Sequence, residues 1–310
     1  MTAVPLTGGA AVYLDGPWSH RFVSANGSRF HIAESGEGPL VLMLHGFPQF
    51  WWTWRRQLTS LSGAGFRAVA SDMRGYGGSD KPPRGYDLIT AASDAAGLIR
   101  ALGEANAVVV GHDWGALVAW TMAAYYPKVV RRLAIVSAAH PLRMRAEMLG
   151  APVRRGWRNG NALGFQLPVL PESRLVRRNA EQVGRMLQAW SGPGWPDPET
   201  EGRYRAAMVI PSVAHSALEY HRWFLRSWLR ADGIRYAHRM RAPIGVPTLH
   251  LHGAMDPCVP TRSAQASARY VDGPYRWRLL EGAGHFLPEE QPDRFDSALQ
   301  TWLADPEPER

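Results

Sequence analysis

Short apolar runs alternate with stretches of helical periodicity between about residues 28 and 140 of this 310-residue chain. Two of the runs read VLML and AVVV without a polar interruption, as expected for strands covered by helices on both faces. Strands that alternate with helices form βαβ units, whose strands are parallel. The pattern therefore predicts an α/β fold with a mostly parallel, doubly wound sheet. The predicted strands of this region lie at 29–34, 39–44, 67–71, 107–110 and 133–137.

The strand pattern stops at about residue 141 and resumes at about residue 246. Between these points arginine and tryptophan are concentrated, and the proline-rich stretch at 191–200 predicts an exposed loop. Two further strand-like runs precede a closing amphipathic helix, which we predict over 288–303. The chain is therefore predicted to form one core with an inserted helical cap. The predicted core comprises 1–140 and 243–310, and the predicted cap comprises 141–242.

The net charge of +8 comes almost wholly from arginine, because only Lys81 and Lys128 are lysines. A basic chain raises the hypothesis of nucleic-acid binding. Since the arginines are scattered and no nucleic-acid motif accompanies them, we expect a solvated arginine-rich surface and no nucleic-acid partner. With Cys258 as its single cysteine, the chain has no internal disulfide, and no cysteine–histidine cluster has zinc-site spacing.

The N-terminal sequence lacks the basic start and apolar segment of a signal peptide. No later run of about 18 apolar residues is long enough to span a bilayer. These features predict a cytoplasmic protein without a membrane partner. Whether the chain is a monomer or a homodimer stays open at this point.

The run VVVGHDWGALVAW places Asp113 directly after a predicted buried strand and directly before a predicted helix. An acid between Gly111 and Gly115 matches the sharp strand–turn–helix pattern that presents a nucleophile above an α/β sheet. Small residues are needed there because the two backbones approach closely and the nucleophile takes strained backbone angles. We therefore predict that Asp113 is a nucleophile. The alternative is that Asp113 only caps the helix.

Two further residues follow Asp113 in the chain order of a nucleophile, acid and histidine triad. Asp256 in HGAMDPCVP and His285 in EGAGHFLPEE each follow a predicted strand, where ligands bind in open α/β sheets. We predict that His285 is the general base and that Asp256 orients its imidazole and stabilises the charged form. Either residue alone is better interpreted as structural, but three in this order favour catalysis.

Backbone donors are expected beside the nucleophile. The motif LHGFPQFWWTWR follows another predicted strand, and its glycine lets main-chain N–H groups point into the site. We predict an oxyanion hole formed by the main-chain N–H groups of Phe47 and Trp114. The aromatic residues that follow, Trp52 among them, are predicted to form an apolar wall for the substrate.

These motifs resemble those of the α/β-hydrolase-fold epoxide hydrolases. The matching segments are HGFPQFWWTWR, DMRGYGGSDKP at 72–82, GHDWGA at 111–116 and GAGHF at 282–286. The resemblance covers the predicted core, at 25–140 and 246–304. It implies the α/β-hydrolase fold with a helical cap, a small-molecule epoxide substrate, and neither a cofactor nor a metal.

An aspartate in the nucleophile position favours displacement at a saturated carbon, because attack on an acyl group would yield only a labile anhydride. The expected intermediate is an alkyl ester on Asp113. Water activated by His285 would attack the ester carbonyl, and the N–H groups of Phe47 and Trp114 would stabilise the resulting oxyanion. With an epoxide, the product is a vicinal diol.

The resemblance also implies two cap tyrosines that bind and protonate the epoxide oxygen, and here the chain departs from the family. NALGFQLPVLPE has Asn161 at the first tyrosine position, and SALEYHRW has His221 at the second, with Tyr220 directly before it. Asparagine donates hydrogen bonds and histidine also donates protons. We predict that Asn161 binds substrate and that His221, in preference to Tyr220, opens the ring. Neighbouring helical side chains project about 100° apart, so only one of His221 and Tyr220 faces the site.

Two alternatives use the same fold. With a halide as leaving group, Asp113 would serve a haloalkane dehalogenase. Haloalkane dehalogenases that resemble this chain usually carry asparagine at the position of Phe47. Fluoroacetate-cleaving relatives prefer arginine at the position of Trp114. Because this chain has neither residue, the sequence favours an epoxide as substrate. A non-catalytic small-molecule receptor is the second alternative, and the intact triad argues against it.

Overall fold

The computed structural model describes residues 11–150 and 164–306. Its centre is an eight-stranded sheet in which six strands run parallel and the first two are antiparallel to their neighbours. The strands are β1 (Ser19–Ala25), β2 (Ser28–Ser35), β3 (Leu40–Leu44), β4 (Arg67–Ser71), β5 (Ala107–His112), β6 (Val130–Val136), β7 (Thr248–Gly253) and β8 (Tyr275–Leu280). They lie in the order β1-β2-β4-β3-β5-β6-β7-β8.

All five strands predicted between residues 28 and 140 are present, and the predicted α/β class is confirmed. The sequence analysis missed β1, which forms a hairpin with β2. Only Val23 and Ala25 of β1 are buried, so the strand lacks a strong apolar pattern. A signal was nevertheless present, because Asn26-Gly27 is a favoured two-residue hairpin turn and both residues adopt the positive φ it requires.

Helices cover both faces of the sheet, and β3 and β5 are accordingly buried along their whole length. The helices that cover the sheet are α1 (Arg55–Gly63), α2 (Leu88–Ala101), α3 (Trp114–Tyr125), α9 (Thr261–Gln265), α10 (Leu287–Glu290) and α11 (Pro292–Ala304). Helix α1 contacts α11, and α2 contacts α3, which itself packs on the central strands.

The predicted closing helix over 288–303 is divided into α10 and α11. Gln291 lies between them with φ −137° and ψ 61°, outside the helical region. It precedes Pro292, and the residue before a proline is sterically disfavoured from the helical conformation. The prediction of one continuous helix was therefore wrong, and its physical cause was visible in the sequence.

The segment between β6 and β7 contains helices and short 3-10 turns, and no strand occurs in its described part. We refer to these helices as the cap. Leu175, Leu187, Tyr204 and Leu218 from three cap helices belong to the same buried cluster as the sheet, so the cap is packed against the core. The cap helices are α4 (Pro141–Gly150), α5 (Leu170–Trp190), α6 (Pro198–Met208), α7 (Val213–Arg226) and α8 (Ala231–Arg239).

No helix within residues 11–150 and 164–306 is both long and apolar enough to cross a membrane.

Because the central strands are fully buried, we expect the stability of the fold to be most sensitive to substitutions in them. Leu42 lies on β3, fully buried between β4 and β5. Leu42→Ala should lower the free energy of unfolding by about 2–5 kcal/mol, since it removes buried methyl groups and leaves a cavity. Leu229→Ala is the matched control, because this leucine is 96% exposed and should change stability by less than about 0.5 kcal/mol. Equal losses in urea unfolding would contradict this assignment of the core.

Candidate active site

Asp113 occupies the sharp turn between β5 and α3, with φ 49° and ψ −113°. A Cβ at Gly111 would collide with the backbone of Gly115, and a Cβ at Gly115 would collide with Leu44 O. The close approach of strand and helix thus requires glycine at both positions. The Asp113 side chain makes no capping hydrogen bond to α3. Asp113 is therefore not a side-chain cap of α3, and its role as nucleophile stays a prediction.

The structure brings Asp113, Asp256 and His285 together. His285 Nδ1 lies 2.9 Å from Asp256 Oδ2, and His285 Nε2 lies 3.6 Å from Asp113 Oδ1. Asp256 is itself fixed by the main-chain N–H groups of Cys258 and Val259, which donate to its Oδ1. The side chains of His285 and Asp256 are buried, whereas that of Asp113 is 23% exposed. Of the three, Asp113 is the group that an incoming molecule can reach.

The charges of the three residues depend on one another. Burial alone would lower the pKa of His285, but the negative charge of Asp256 and the carboxylate of Asp113 raise it to about 10. Burial alone would raise the pKa of Asp113, but the hydrogen bond and charge of His285 hold it below its ordinary value. The pKa of Asp256 is lowered in the same way. The imidazolium of His285 and the carboxylates of Asp113 and Asp256 therefore each favour the charged form of the others.

Asp256, Cys258 and His285 also have ligand atoms within 4.8 Å of one another, a spacing compatible with a metal ion. Burial, however, raises the pKa of the Cys258 thiol well above its ordinary value, which opposes the thiolate form that binds metals. The Nδ1 atom of His285 is already hydrogen-bonded to Asp256. This donor set fits a triad better than a metal site.

The main-chain N–H of Phe47 donates to Asp113 Oδ2 at 2.9 Å. A Cβ at Gly46 would collide with the Asp113 side chain, so glycine allows the loop to approach this closely. Trp114 is the first residue of α3, where main-chain N–H groups have no partner within the helix. The oxyanion hole at Phe47 and Trp114 stays a prediction, with the N–H of Phe47 already directed at the Asp113 carboxylate.

Comparison with known proteins agrees with this geometry. The family model described as the alpha/beta hydrolase fold matches residues 39–292. The chain belongs to the α/β-hydrolase fold family. Among its relatives, epoxide hydrolase A of Mycobacterium tuberculosis is 30% identical over 92% of this chain and 97% of its own length. Epoxide hydrolase 3 of Xenopus tropicalis is 32% identical over 90% of this chain and 75% of its own length.

A solved structure gives the same result. The crystal structure of epoxide hydrolase A from Mycobacterium thermoresistibile matches this hydrolase with a TM-score of 0.80 and 31% identity. The match covers 92% of this chain and 98% of that one. The resemblance to α/β-hydrolase-fold epoxide hydrolases that the motifs predicted is therefore confirmed.

His221, on α7 of the cap, lies beside the nucleophile turn of this hydrolase. Trp114 Nε1 donates to His221 Nε2 at 3.1 Å, and His221 Nδ1 donates to Ala217 O at 3.1 Å. An indole N–H only donates and a carbonyl only accepts, so His221 is neutral with its proton on Nδ1. Burial lowers the pKa of His221 to about 4, which agrees with the neutral form.

Tyr220, the adjacent residue of α7, also has its ring 5.9 Å from that of Trp114, but its hydroxyl is directed elsewhere. Its buried hydroxyl donates to Arg74 O at 3.0 Å, and its ring lies 5.6 Å from that of Tyr86. The two neighbours thus diverge as helical geometry requires, and His221 is the one that contacts Phe47, with 5.1 Å between ring centroids. The ring-opening role assigned to one of them stays a prediction.

The other two predicted substrate contacts have different outcomes. Asn161 lies outside the described residues. Trp52 is buried against Phe50 and Tyr204, and the guanidinium of Arg55 lies 3.7 Å from its ring. These contacts place Trp52 at the junction of core and cap, and its contact with substrate stays a prediction.

Aromatic residues that the sequence analysis did not assign surround the nucleophile turn. The rings of Phe165 and Trp190 lie 6.0 and 6.3 Å from that of Phe47, and Trp190 lies 5.9 Å from His285. Phe165 also contacts His221, at 5.0 Å. Phe165 and Trp190 belong to the cap, and no local pattern distinguished them from its other aromatic residues. The described surroundings of Asp113 are thus largely apolar.

A buried polar network behind the site was also missed. Glu289 accepts hydrogen bonds from Gln49 at 2.6 Å, Thr53 at 3.1 Å, Arg55 at 2.5 Å and the hydroxyl of Tyr204. Tyr204 lies on α6 of the cap, and Gln49 lies two residues after Phe47. The network therefore joins cap and core behind the predicted oxyanion hole.

The raised pKa of His285 predicts a specific dependence of stability on pH. A folded-state pKa of about 10 above an ordinary value of 6.5 means that the imidazolium stabilises the fold fully below about pH 6.5. This contribution is lost as the pH rises through about 10. The stability advantage of the wild type over His285→Gln should therefore shrink between pH 6 and 10.5, by about a few kcal/mol.

Denaturant unfolding across this range measures the effect, with His238→Gln as the control because His238 is exposed. The control should change stability by less than about 0.5 kcal/mol. A constant difference between the wild type and His285→Gln would contradict the imidazolium assignment.

Proposed function

We propose that this hydrolase converts an epoxide to a vicinal diol through an alkyl ester on Asp113, which water activated by His285 then hydrolyses. The observation that carries the proposal is an accessible aspartate at the nucleophile turn, 3.6 Å from His285 Nε2. The relatives named epoxide hydrolases, which match this chain over nine-tenths of its length, support the choice of substrate.

In the first step, a carboxylate oxygen of Asp113 attacks one carbon of the epoxide ring. A new C–O bond forms to the aspartate, the C–O bond to the ring oxygen breaks, and its electron pair stays on that oxygen. The ionised form of Asp113 is the reactive one, and the charge of His285 favours it. The ring oxygen must then gain one proton.

In the second step, His285 accepts a proton from the attacking water. His285 is an imidazolium before the reaction, so it must first lose a proton. Formation of the ester removes the negative charge of Asp113, one of the groups that raise the pKa of His285, and thereby favours the neutral base. The proton that the imidazolium loses balances the proton that the ring oxygen gains. Hydrolysis then restores both the carboxylate and the imidazolium.

The tetrahedral intermediate of the second step carries its negative charge on the Asp113 carbonyl oxygen. The Phe47 N–H already contacts Asp113 Oδ2, and the Trp114 N–H begins α3 with no partner within the helix. A main-chain donor fixed at this position costs no reorganisation during the reaction. These contacts support Phe47 and Trp114 as the oxyanion hole.

Of the two predicted ring-opening residues, we favour His221 over Tyr220. His221 contacts Phe47 and Trp114 beside the nucleophile, whereas the Tyr220 hydroxyl is bonded to Arg74 O. To donate from Nε2, His221 must first carry a proton there, either by moving its proton from Nδ1 and giving up the bond to Ala217 O or by gaining a second proton. The ring oxygen must also displace the indole N–H of Trp114 from Nε2. Catalytic hydrogen bonds that are misaligned in the free enzyme commonly form only when substrate is bound.

The covalent intermediate predicts a trapping result. His285→Gln incubated with an epoxide should gain the mass of one whole substrate molecule, located on the Asp113 peptide, because the ester forms without the base that hydrolyses it. Asp113→Asn should gain no mass under the same conditions. The measurement is intact-protein and peptide mass spectrometry.

The same experiment separates the alternatives. Adducts formed only from haloalkanes, each lacking the halogen, would identify a dehalogenase instead. Binding without any adduct over a broad panel would indicate a receptor and would remove Asp113 as nucleophile.

The ring-opening assignment predicts a difference between two neighbouring variants. His221→Phe should slow formation of the Asp113 ester by about 100-fold or more, the usual contribution of a general acid. Its ester, once formed, should be hydrolysed at nearly the wild-type rate. Tyr220→Phe is the matched control and should leave ester formation nearly unchanged. Single-turnover rapid quench gives both rates, and impairment of Tyr220→Phe alone would transfer the role to Tyr220.

A further inference from the structure

The main chain of His285 is held from two sides by residues outside the triad. Its N–H donates to Trp190 O at 2.8 Å, at the last residue of cap helix α5. Its C=O accepts from His112 Nε2 at 2.8 Å, and His112 directly precedes Asp113. The position of the base is therefore linked both to the cap and to the strand that carries the nucleophile.

The carboxylate of Glu290 accepts hydrogen bonds from both the cap and the residues beside His285. Glu290 Oε2 accepts from the main-chain N–H groups of Gly284 at 2.6 Å and Gly192 at 2.7 Å. Glu290 Oε1 accepts from the N–H of Phe286 at 2.7 Å. Gly284 and Phe286 flank His285 on either side, and Gly192 belongs to the cap. Hydrogen bonds of this kind to an ionised carboxylate are short and strong.

The cap residues 190–192, here called the cap segment, directly contact residues 282–286 around His285, here called the base loop. A Cβ added to Gly284 would lie 2.5 Å from Gly192 N, and a Cβ added to Gly192 would lie 2.5 Å from Gly282 O. The ring of Trp190 stacks on that of Phe286 at 6.3 Å. With no space between the two segments, a displacement of one must displace the other.

We propose that Glu290 is a positioning residue for His285, which fixes the imidazole relative to Asp113 by holding both flanking amides against the cap at Gly192. The proposal rests on the proposed function, because it assigns Glu290 to the step in which His285 acts as base. Ester formation depends on the Asp113 carboxylate and the ring-opening side of the site. Ester hydrolysis depends on the placement of His285. Loss of Glu290 must therefore slow the two steps unequally.

Glu290→Gln tests this role directly because both oxygens of the Glu290 carboxylate accept main-chain hydrogen bonds. A glutamine has one acceptor oxygen and one NH₂ group, so at least one of the three main-chain donors would face another donor. The expected displacement of the His285 loop is small, yet misplacement by about 1 Å can cost about 100-fold in rate. The NH₂ group adds no bulk, so the variant changes hydrogen bonding and charge and preserves volume.

Single-turnover measurements on the full chain supply the readout. Glu290→Gln should form the Asp113 ester at close to the wild-type rate, hydrolyse it about 10- to 100-fold more slowly, and accumulate it during turnover. Asp296→Asn is the matched control: this half-buried carboxylate on α11 accepts from Gln57 Nε2 at 2.8 Å and lies outside the site. It should leave both rates unchanged. Equal slowing of both steps in Glu290→Gln, or of neither, overturns the positioning role.

A second variant reaches the same contact from the cap side. Gly192→Ala keeps Glu290 but places a Cβ 3.0 Å from Glu290 Oε2 and close to Gly282 O, so it should push the cap segment from the base loop. It should likewise slow hydrolysis more than ester formation, and it carries the test if Glu290→Gln does not fold. Uniform loss of both rates in a folded Gly192→Ala counts against the proposal.

His285→Gln measured in parallel distinguishes the two levels of inference. If His285→Gln accumulates ester while Glu290→Gln turns over like the wild type, only the positioning role fails. If no variant forms an ester on Asp113, the proposed function itself fails.

Discussion

The close approach of Asp113 to His285 is the interaction on which the rest of the site depends. A carboxylate in largely apolar surroundings would tend to take up a proton, and an imidazole there would tend to lose one. Placed 3.6 Å apart, each stabilises the charge of the other, and Asp256 secures the imidazolium from its far side. The N–H of Phe47 also stabilises the Asp113 carboxylate and does not depend on His285. The position of the carboxylate requires the positive φ of the turn and the two glycines around it.

The sequence was sufficient to predict the core and the three residues that the structure brings together, Asp113, Asp256 and His285, because their signals are local. Buried parallel strands read as continuous apolar runs, and the turn at Asp113 needs small residues at fixed spacing. The failures had local causes too. Strand β1 is half exposed and was recognisable only from Asn26-Gly27, and the closing helix breaks where Gln291 precedes a proline.

Side-chain direction in the cap could not be read from the sequence. His221 and Tyr220 are adjacent on one helix, and which of them faces the nucleophile depends on contacts made with distant segments, Trp114 for one and Arg74 for the other. The bonds of Glu290 are of the same kind, because its partner Gly192 lies almost a hundred residues earlier. Tertiary hydrogen bonds between main-chain donors and one carboxylate leave no periodicity and no spacing to detect.

The two sides of the cap therefore carry different constraints. At residues 190–192 it contacts the base loop backbone to backbone, so a substitution there acts on His285 itself. At α7 it meets the core near Asp113 through the side chain of His221, which rests on Phe47 and Trp114. A side-chain contact can be replaced while the backbone stays in place. This explains how the chain can depart at His221 from the tyrosine that its resemblance implies and still keep Asp113, Asp256 and His285 together.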